Sequence, residues 1–127
     1  LALLARLQRE LGMAVLLITH NLALVADVAR RVNVMYAGRV VEAGKTGEVL
    51  RHPAHPYTCG LLAAVPRLRG DADELHGIPG SVPHPAHIPP GCSFHPRCPR
   101  AGPLCARVDP EPEYFEEGRM VRCHYWK

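Results

Sequence analysis

The segment Pro89–Cys105 constrains the fold most, because it carries thiols but almost no apolar side chains of its own. With one later cysteine it supplies four thiols in the spacing C-x5-C-x6-C-x17-C: Cys92, Cys98, Cys105 and Cys123. A segment so rich in Pro and Gly buries too little apolar surface to offset the conformational entropy lost on folding. We therefore expect two disulfides, a zinc ion or an iron–sulfur cluster to hold it together.

Length, charge and cysteine count narrow the class of protein. The 127 residues allow one small domain or parts of two, and the chain begins at Leu1 inside an apolar repeat, which suggests the C-terminal part of a longer protein. The net charge of +3, with both signs interspersed, is too mild to indicate nucleic acid binding. No secretory signal pattern and no membrane-spanning apolar run is present, so the five cysteines favour metal binding over a disulfide framework.

The first thirty residues show the alternation typical of an α/β protein. Leu1–Leu11 has a helical apolar stripe that ends at Gly12. The branched apolar run Met13–Thr19 predicts a strand buried on both faces, as in a parallel sheet covered by helices. Asn21 is then predicted to cap a helix over Leu22–Arg31.

A hairpin and a short helix are predicted next. Val32–Tyr36 and Arg39–Ala43 are two short strands around an Ala-Gly turn, and Thr46 is predicted to cap a helix that runs through Leu50. The proline content rises from about His52 onward, so we place a boundary between residues 51 and 52.

The second part of the chain has weaker periodicity. We predict one helix over Tyr57–Val65 and a loop over Arg67–Ile88. Asp109–Glu117 is interpreted as a solvated acidic face. Cys59 falls within the predicted helix, where a free cysteine usually acts as a small buried hydrophobe.

His20 is the first candidate for a functional side chain. It follows the predicted strand at its carboxyl end and precedes a capped helix, and ligands of open α/β sheets bind at that edge. A histidine there can bond a phosphate oxygen or position a water, although a helix-start histidine without a role fits the pattern equally well.

The sequence resembles one family along nearly its whole length. Residues 16–44, LLITHNLALVADVARRVNVMYAGRVVEAG, are similar to the end of an ATP-binding cassette (ABC) ATPase, in which a strand ends in the switch histidine. HPAHPYTCGLLAAVP at residues 52–66, IPG at 78–80, the segment Pro89–Cys105 and VRCH at 121–124 resemble the C-terminal extension of oligopeptide/dipeptide importer ATP-binding subunits. The HPYT segment with the four-cysteine pattern is the most specific part of this resemblance.

The resemblance implies a fold and an activity. Residues 1–51 would close a P-loop ABC ATPase domain as strand, helix, hairpin and helix, and residues 52–127 would form a small irregular Cys-rich extension. His20 would contact the γ-phosphate of ATP, bound with Mg²⁺ in the full-length protein, and would hold the attacking water near a catalytic glutamate. The phosphate-binding loop, the ABC signature motif and the catalytic carboxylate are absent from this sequence, so this chain alone is expected to be inactive.

For the cysteines, the resemblance implies a [4Fe–4S] cluster on Cys92, Cys98, Cys105 and Cys123. The spacing is compatible, since no C-x2–4-C pair typical of zinc sites occurs and longer spacers suit a larger object than one ion. Zinc and disulfides remain open alternatives. Gly91 is expected to supply an unusual backbone angle before the first thiol.

The resulting interpretation is an ATP-binding subunit that powers import of peptides or related small solutes. Its partners would be a second ATP-binding subunit, the membrane permease and, indirectly, a solute-binding protein, with the chain peripheral at the cytoplasmic face of the membrane. The alternative is a zinc-binding regulatory module, or one that contacts nucleic acid through arginines around the cysteine segment. The HPYT motif, His55–Thr58, is interpreted as a folding element that docks the extension.

Overall fold

A four-stranded antiparallel sheet organises the fold, in the order β1-β2-β4-β3. The computed structural model describes residues 2–65, 77–116 and 118–127. In chain order the elements are α1 (Ala2–Leu11), α2 (Leu22–Val28), β1 (Arg31–Tyr36), β2 (Arg39–Lys45), α3 (Thr46–Arg51), α4 (Pro56–Ala63), β3 (Glu113–Phe115) and β4 (Arg119–Val121). Two 3₁₀ turns, Pro85–His87 and His95–Arg97, lie between α4 and β3.

The predicted hairpin is confirmed as β1 and β2. Its turn residues Ala37 and Gly38 both have positive φ, 46° and 78°, which is the geometry that matches the twist of a two-residue hairpin. Strand β2 continues two residues beyond the predicted end, to Lys45, because Gly44 and Lys45 still pair with Val32 and Arg31 of β1.

The third and fourth strands were not predicted. β3 and β4 form a second hairpin within and just after the acidic stretch, and β4 joins the sheet through the pairs Glu42↔Val121 and Ala43↔Met120. Each strand has three residues, too few for a period-two pattern to be recognised in the sequence. The end of the chain is thereby attached to the first hairpin.

The prediction of a buried strand at Met13–Thr19 is wrong for this structure. The segment belongs to no strand, and Leu16 and Ile18 are 87% and 90% exposed. A strand needs a neighbour to satisfy its backbone hydrogen bonds, and none of the strands within the described residues pairs with this run.

Several helix boundaries also differ from the prediction. Helix α2 ends at Val28 rather than Arg31. Thr46 is not the cap of α3: Lys45 occupies the N-cap position and the Thr46 hydroxyl is buried without a hydrogen-bond partner. Helix α4 begins one residue earlier than predicted, at Pro56. Of the predicted loop 67–88, residues 67–76 lie outside the described part, and the remainder contains the first 3₁₀ turn.

One core joins the first hairpin to the cysteine segment. It consists of five buried side chains: Val34, Tyr36, Val41, Val49 and Phe94. The Phe94 ring meets the Tyr36 ring edge-on at 5.1 Å between centroids. Such aromatic pairs add about 0.5–1.5 kcal/mol beyond area burial. A residue of the cysteine segment thus anchors that segment on the sheet.

Within the described ranges, no helix has the length and apolar character needed to cross a membrane.

Candidate functional site

The four cysteines of the C-x5-C-x6-C-x17-C pattern lie in one neighbourhood. Burial is the main factor that raises the pKa of Cys92, Cys98 and Cys123, and the negative charges of the neighbouring thiolates raise these pKa values further. Cys105 contributes to the rise in all three of these pKa values, so it lies near the other three cysteines. All four are free thiols and form no disulfide. Across the described ranges, however, no three His, Cys, Asp or Glu side chains are placed to hold a single metal ion.

Backbone amides point at three of these sulfurs. The N–H of Phe94 bonds the sulfur of Cys92, and those of Arg100 and Tyr125 bond Cys98 and Cys123. In each case the donor lies two residues after the cysteine, and each bond lowers the pKa of its thiol. A hydrogen bond to sulfur favours the thiolate, the form that binds metals. These bonds oppose the effect of burial, which still prevails and leaves the pKa of each of the three thiols raised.

Gly91 allows the first and third cysteines to approach each other. Its φ is +69°, and the next amide, of Cys92, donates to the carbonyl oxygen of Cys105 at 2.8 Å. A Cβ added at Gly91 would lie 2.4 Å from that same oxygen. The expectation of an unusual backbone angle before the first thiol is confirmed.

We expect Gly91→Ala to destabilise the protein more than a matched change at Gly38. Both glycines have positive φ, but a Cβ at Gly38 has no atom within 4 Å. Gly38→Ala should thus cost only the left-handed strain, roughly 1–2 kcal/mol, whereas Gly91→Ala adds a backbone collision. Chemical denaturation of both variants measures the two costs. Equal losses would show that the close approach at Gly91 contributes nothing.

Arg97 ties the IPG element to the cysteine segment. Its guanidinium donates to the carbonyl oxygens of Ile78, Pro79 and Gly80 at 2.7–3.1 Å, and to the hydroxyl of Tyr36 at 3.3 Å. Because these bonds use its guanidinium donors, Arg97 holds the IPG element against the cysteine segment. Arg97 is one of the arginines around the cysteine segment on which the nucleic acid alternative relied, and these bonds give it a structural role instead.

The HPYT motif begins with a buried, neutral histidine. His55 is 1% exposed, and its Nδ1 accepts the N–H of Tyr57 at 3.0 Å, which caps α4. The other ring nitrogen, Nε2, donates to the backbone carbonyl of Arg122. Burial lowers the pKa of His55 to about 4, because the charged ring would lose its hydration. The motif docks α4 against the end of the chain.

Acid should weaken this docking in a defined pH window. The unfolded histidine has a pKa near 6.5 and the folded one about 4, so the unfolded state binds the extra proton between these values. The contribution of neutral His55 to the free energy of unfolding is complete above pH 6.5. It falls by roughly 3 kcal/mol as the pH drops to about 4 and does not change further below that pH.

Urea unfolding of the wild type and of His55→Asn between pH 7 and pH 4 measures this effect. Asparagine keeps an N-cap acceptor but does not titrate, so the difference between the two proteins should shrink as the pH falls. A difference that stays constant across this range would contradict the assignment of a neutral buried His55.

A buried carboxylate, Glu42, holds the start of α4 in place. Glu42 is fully buried in β2, and its two oxygens accept the amides of Ala54 and His55, each at 2.9 Å. Arg119 of β4 donates to Glu42 at 3.3 Å and to the carbonyl of His52 at 2.5 Å. Sequence reasoning missed both charged residues, although a glutamate inside the apolar strand VVEAG was a signal that could have been noticed.

His20 lies on an exposed bend next to a capped helix. The side chain of Asn21 accepts the amide of Leu24 at 3.2 Å, which confirms the predicted cap of α2, and the Asn21 amide donates to the Thr19 hydroxyl at 3.0 Å. These bonds fix the backbone on both sides of the imidazole. The His20 side chain itself is exposed and free to meet a ligand.

Three further residues singled out from the sequence have local structural roles. Cys59 is half-buried in α4, and burial raises its pKa, as for a structural thiol. His95 donates to the Cys92 carbonyl at 2.9 Å and His124 to the Val108 carbonyl at 2.8 Å. Both rings therefore brace the backbone near the thiols.

Comparison with known proteins gives one consistent family. Residues 41–105 match the family described as "Oligopeptide/dipeptide transporter, C-terminal region". A Brucella ovis protein named for peptide import and ATP binding is 48% identical over 134 residues, covering 100% of this chain and 39% of that relative. The oligopeptide transport ATP-binding protein OppD of Salmonella typhimurium is 46% identical, with 97% of this chain and 36% of the relative covered. The dipeptide transport ATP-binding protein DppD of Escherichia coli is 45% identical, with 97% and 38% covered.

The chain thus spans less than two-fifths of the length of these three relatives. Of the chain itself, 97% or more aligns with each of them. The family match covers Glu42, the HPYT motif and the first three cysteines, whereas Arg119 and Cys123 lie beyond it. The chain belongs to the oligopeptide/dipeptide transporter C-terminal region family.

Proposed function

We propose that this chain is the C-terminal part of an ATP-binding subunit that energises import of peptides or related small solutes. The names of its relatives, which refer to peptide, oligopeptide and dipeptide transport and to ATP binding, support this proposal. Residues 1–51 would close the nucleotide-binding domain and residues 52–127 would form the extension. The whole subunit would bind ATP and Mg²⁺, pair with a second ATP-binding subunit and drive a permease from the cytoplasmic face of the membrane. A solute-binding protein would deliver the cargo.

Within such a subunit, His20 would act on the γ-phosphate of ATP. Its exposed imidazole follows Thr19 and precedes the capped start of α2, so the backbone on either side is held by the Asn21 bonds. A neutral imidazole can donate one hydrogen bond and accept another, which suits a bridge between a phosphate oxygen and the attacking water. The contribution would be positioning and charge stabilisation rather than covalent chemistry.

The four converging thiols would hold a [4Fe–4S] cluster. The observation that carries this proposal is that the four cysteines lie near one another and that backbone amides bond the sulfurs of three of them. When bound, the cluster would cross-link the segment and supply one-electron redox chemistry. Cys92, Cys98, Cys105 and Cys123 would be its ligands, and the amides of Phe94, Arg100 and Tyr125 would stabilise the charge on three of the sulfurs.

Of the two candidate cofactors, zinc has less support from the structure. Thiolates bind one zinc at about 2.3 Å, so four sulfurs around it lie within roughly 4 Å of each other. In the parts of the chain that the structure describes, no trio of such ligands is placed for a single ion.

Replacing any one of the four cysteines by serine should remove the cofactor from the full-length subunit. Cys59→Ser is the matched control, because Cys59 is a half-buried thiol in α4 outside the set. Iron, sulfide and zinc content, together with visible absorption after anaerobic purification, report the outcome. A brown protein with iron and sulfide supports the cluster, and a colourless protein with stoichiometric zinc supports the alternative. Metal lost from Cys59→Ser but kept in Cys105→Ser would overturn the ligand assignment.

A further inference from the structure

We propose that strand β4 is a latch that couples the four-thiol site to the buried carboxylate of Glu42. This inference rests on the proposed cofactor, because it asks what filling or emptying the thiol site does to the rest of the fold. Through this coupling, the docking of helix α4, which carries the HPYT motif, would depend on whether the four-thiol site is filled.

One end of the latch is an ion pair. Arg119, the first residue of β4, is 6% exposed and donates to both Glu42 and the carbonyl of His52. Glu42 in turn accepts the amides of Ala54 and His55 ahead of α4. The guanidinium therefore supplies the positive charge that lets a fully buried carboxylate hold the helix start.

The other end of the latch is a ligand of the thiol site. Cys123 lies two residues beyond β4, and the intervening Arg122 is fixed at both of its backbone groups. The Arg122 amide donates to the carbonyl of Val41 at 2.8 Å, and its own carbonyl accepts the ring of His55. Movement of Cys123 is therefore transmitted to β2 and to the cap of α4.

Strand β4 is too short to hold its place unaided. It has three residues and meets β2 in only two residue pairs, Glu42↔Val121 and Ala43↔Met120. The β3–β4 hairpin meets the rest of the sheet only through these pairs and the adjoining Arg122–Val41 bond, so its position also depends on what fastens its ends. With a cofactor bound, Cys123 is held to the other three thiols. Without it, that end is free, and Arg119 can leave Glu42 with an unpaired buried charge.

Hydrogen exchange on the full-length subunit, with and without its cofactor, tests the coupling. A peptide over His52–Tyr57 is suited to this measurement, because Pro53 and Pro56 carry no N–H and His52 is its first residue. Its signal comes from three amides: those of Ala54 and His55, which bond Glu42, and that of Tyr57, which bonds His55. We expect stripping of the metal by a chelator to speed exchange in this peptide by about tenfold or more, the middle of the usual range of coupling between sites.

The latch also predicts an effect in the other direction, from the ion pair to the thiol site. Arg119→Met should release metal to a chelator about tenfold faster than wild type, although Arg119 is outside the thiol set. Arg107→Met is the control, because Arg107 is an exposed arginine two residues from Cys105. Far-UV circular dichroism confirms that both variants are folded, and the exchange experiment needs no variant at all.

The outcomes separate the latch from the cofactor. Faster exchange of the His52–Tyr57 peptide after stripping, with faster metal release from Arg119→Met, supports the latch. A loaded subunit in which stripping alters exchange only near the thiols, while the His52–Tyr57 peptide is unchanged, overturns the latch and leaves the cofactor standing. A subunit purified with neither iron nor zinc overturns the proposed cofactor and the coupling with it.

Discussion

Replacing His20 by alanine in the full-length subunit should lower kcat for ATP hydrolysis by roughly 100-fold or more, with little change in ATP affinity. That is the scale of removing one preorganised polar group that acts on the developing charge of a transition state. An interaction that strengthens only in the transition state affects turnover more than ground-state binding. The exposed imidazole beside a capped helix is suited to such a contact, since Asn21 holds the backbone next to it.

Steady-state hydrolysis and nucleotide binding, both measured on the assembled transporter, test this expectation. His84→Ala provides a control, because His84 is an exposed histidine in the extension whose ring accepts only the nearby amide of Ala86. Near-normal hydrolysis by His20→Ala would mean that this histidine is only the residue before a helix cap. A matching fall in ATP affinity would instead assign it to ground-state binding.

The local features of this fold were readable from the sequence because each depends on a few adjacent residues. Ala37-Gly38 predicted the hairpin since its turn requires positive φ, and Asn21 predicted the start of α2 since its side chain can accept a helix amide.

The long-range features were not readable in the same way. Strand β4 pairs with a strand more than seventy residues earlier, and three residues of strand carry no detectable period. Glu42 was given no role in the sequence analysis, whereas the structure buries it completely. Its burial depends on Arg119, Ala54 and His55 arriving together, which no local pattern encodes.

At Met13–Thr19 a local pattern predicted a strand that the structure does not contain. The branched apolar run is typical of a buried strand, but local preference alone does not make one. In this structure Leu16 and Ile18 are exposed and the run pairs with no described strand. Neighbouring strands are what convert such a sequence into a strand, and the relatives are more than twice as long as this chain.

The buried carboxylate of Glu42 gives the largest expected effect on stability. Glu42→Gln should lower the free energy of unfolding by about 3–5 kcal/mol, the usual cost of breaking a buried ion pair by removing one partner. A glutamine presents one acceptor oxygen and one N–H₂ group in place of two acceptors. One of the amides of Ala54 and His55 then loses its partner, and the guanidinium of Arg119 keeps a buried charge without a counter-ion.

Chemical denaturation of Glu42→Gln beside Glu111→Gln measures this cost. Glu111 is an exposed glutamate, so its substitution should change stability by no more than about 0.5 kcal/mol. The double variant Glu42→Gln/Arg119→Met should lose less than the sum of the two single variants, because the second change removes the charge that the first leaves unpaired. Strict additivity would mean that the two side chains stabilise the fold independently. A Glu42→Gln protein as stable as Glu111→Gln would show that α4 docks without the carboxylate, and the HPYT segment would then be held by the His55 cap and the aromatic packing of Phe94 alone.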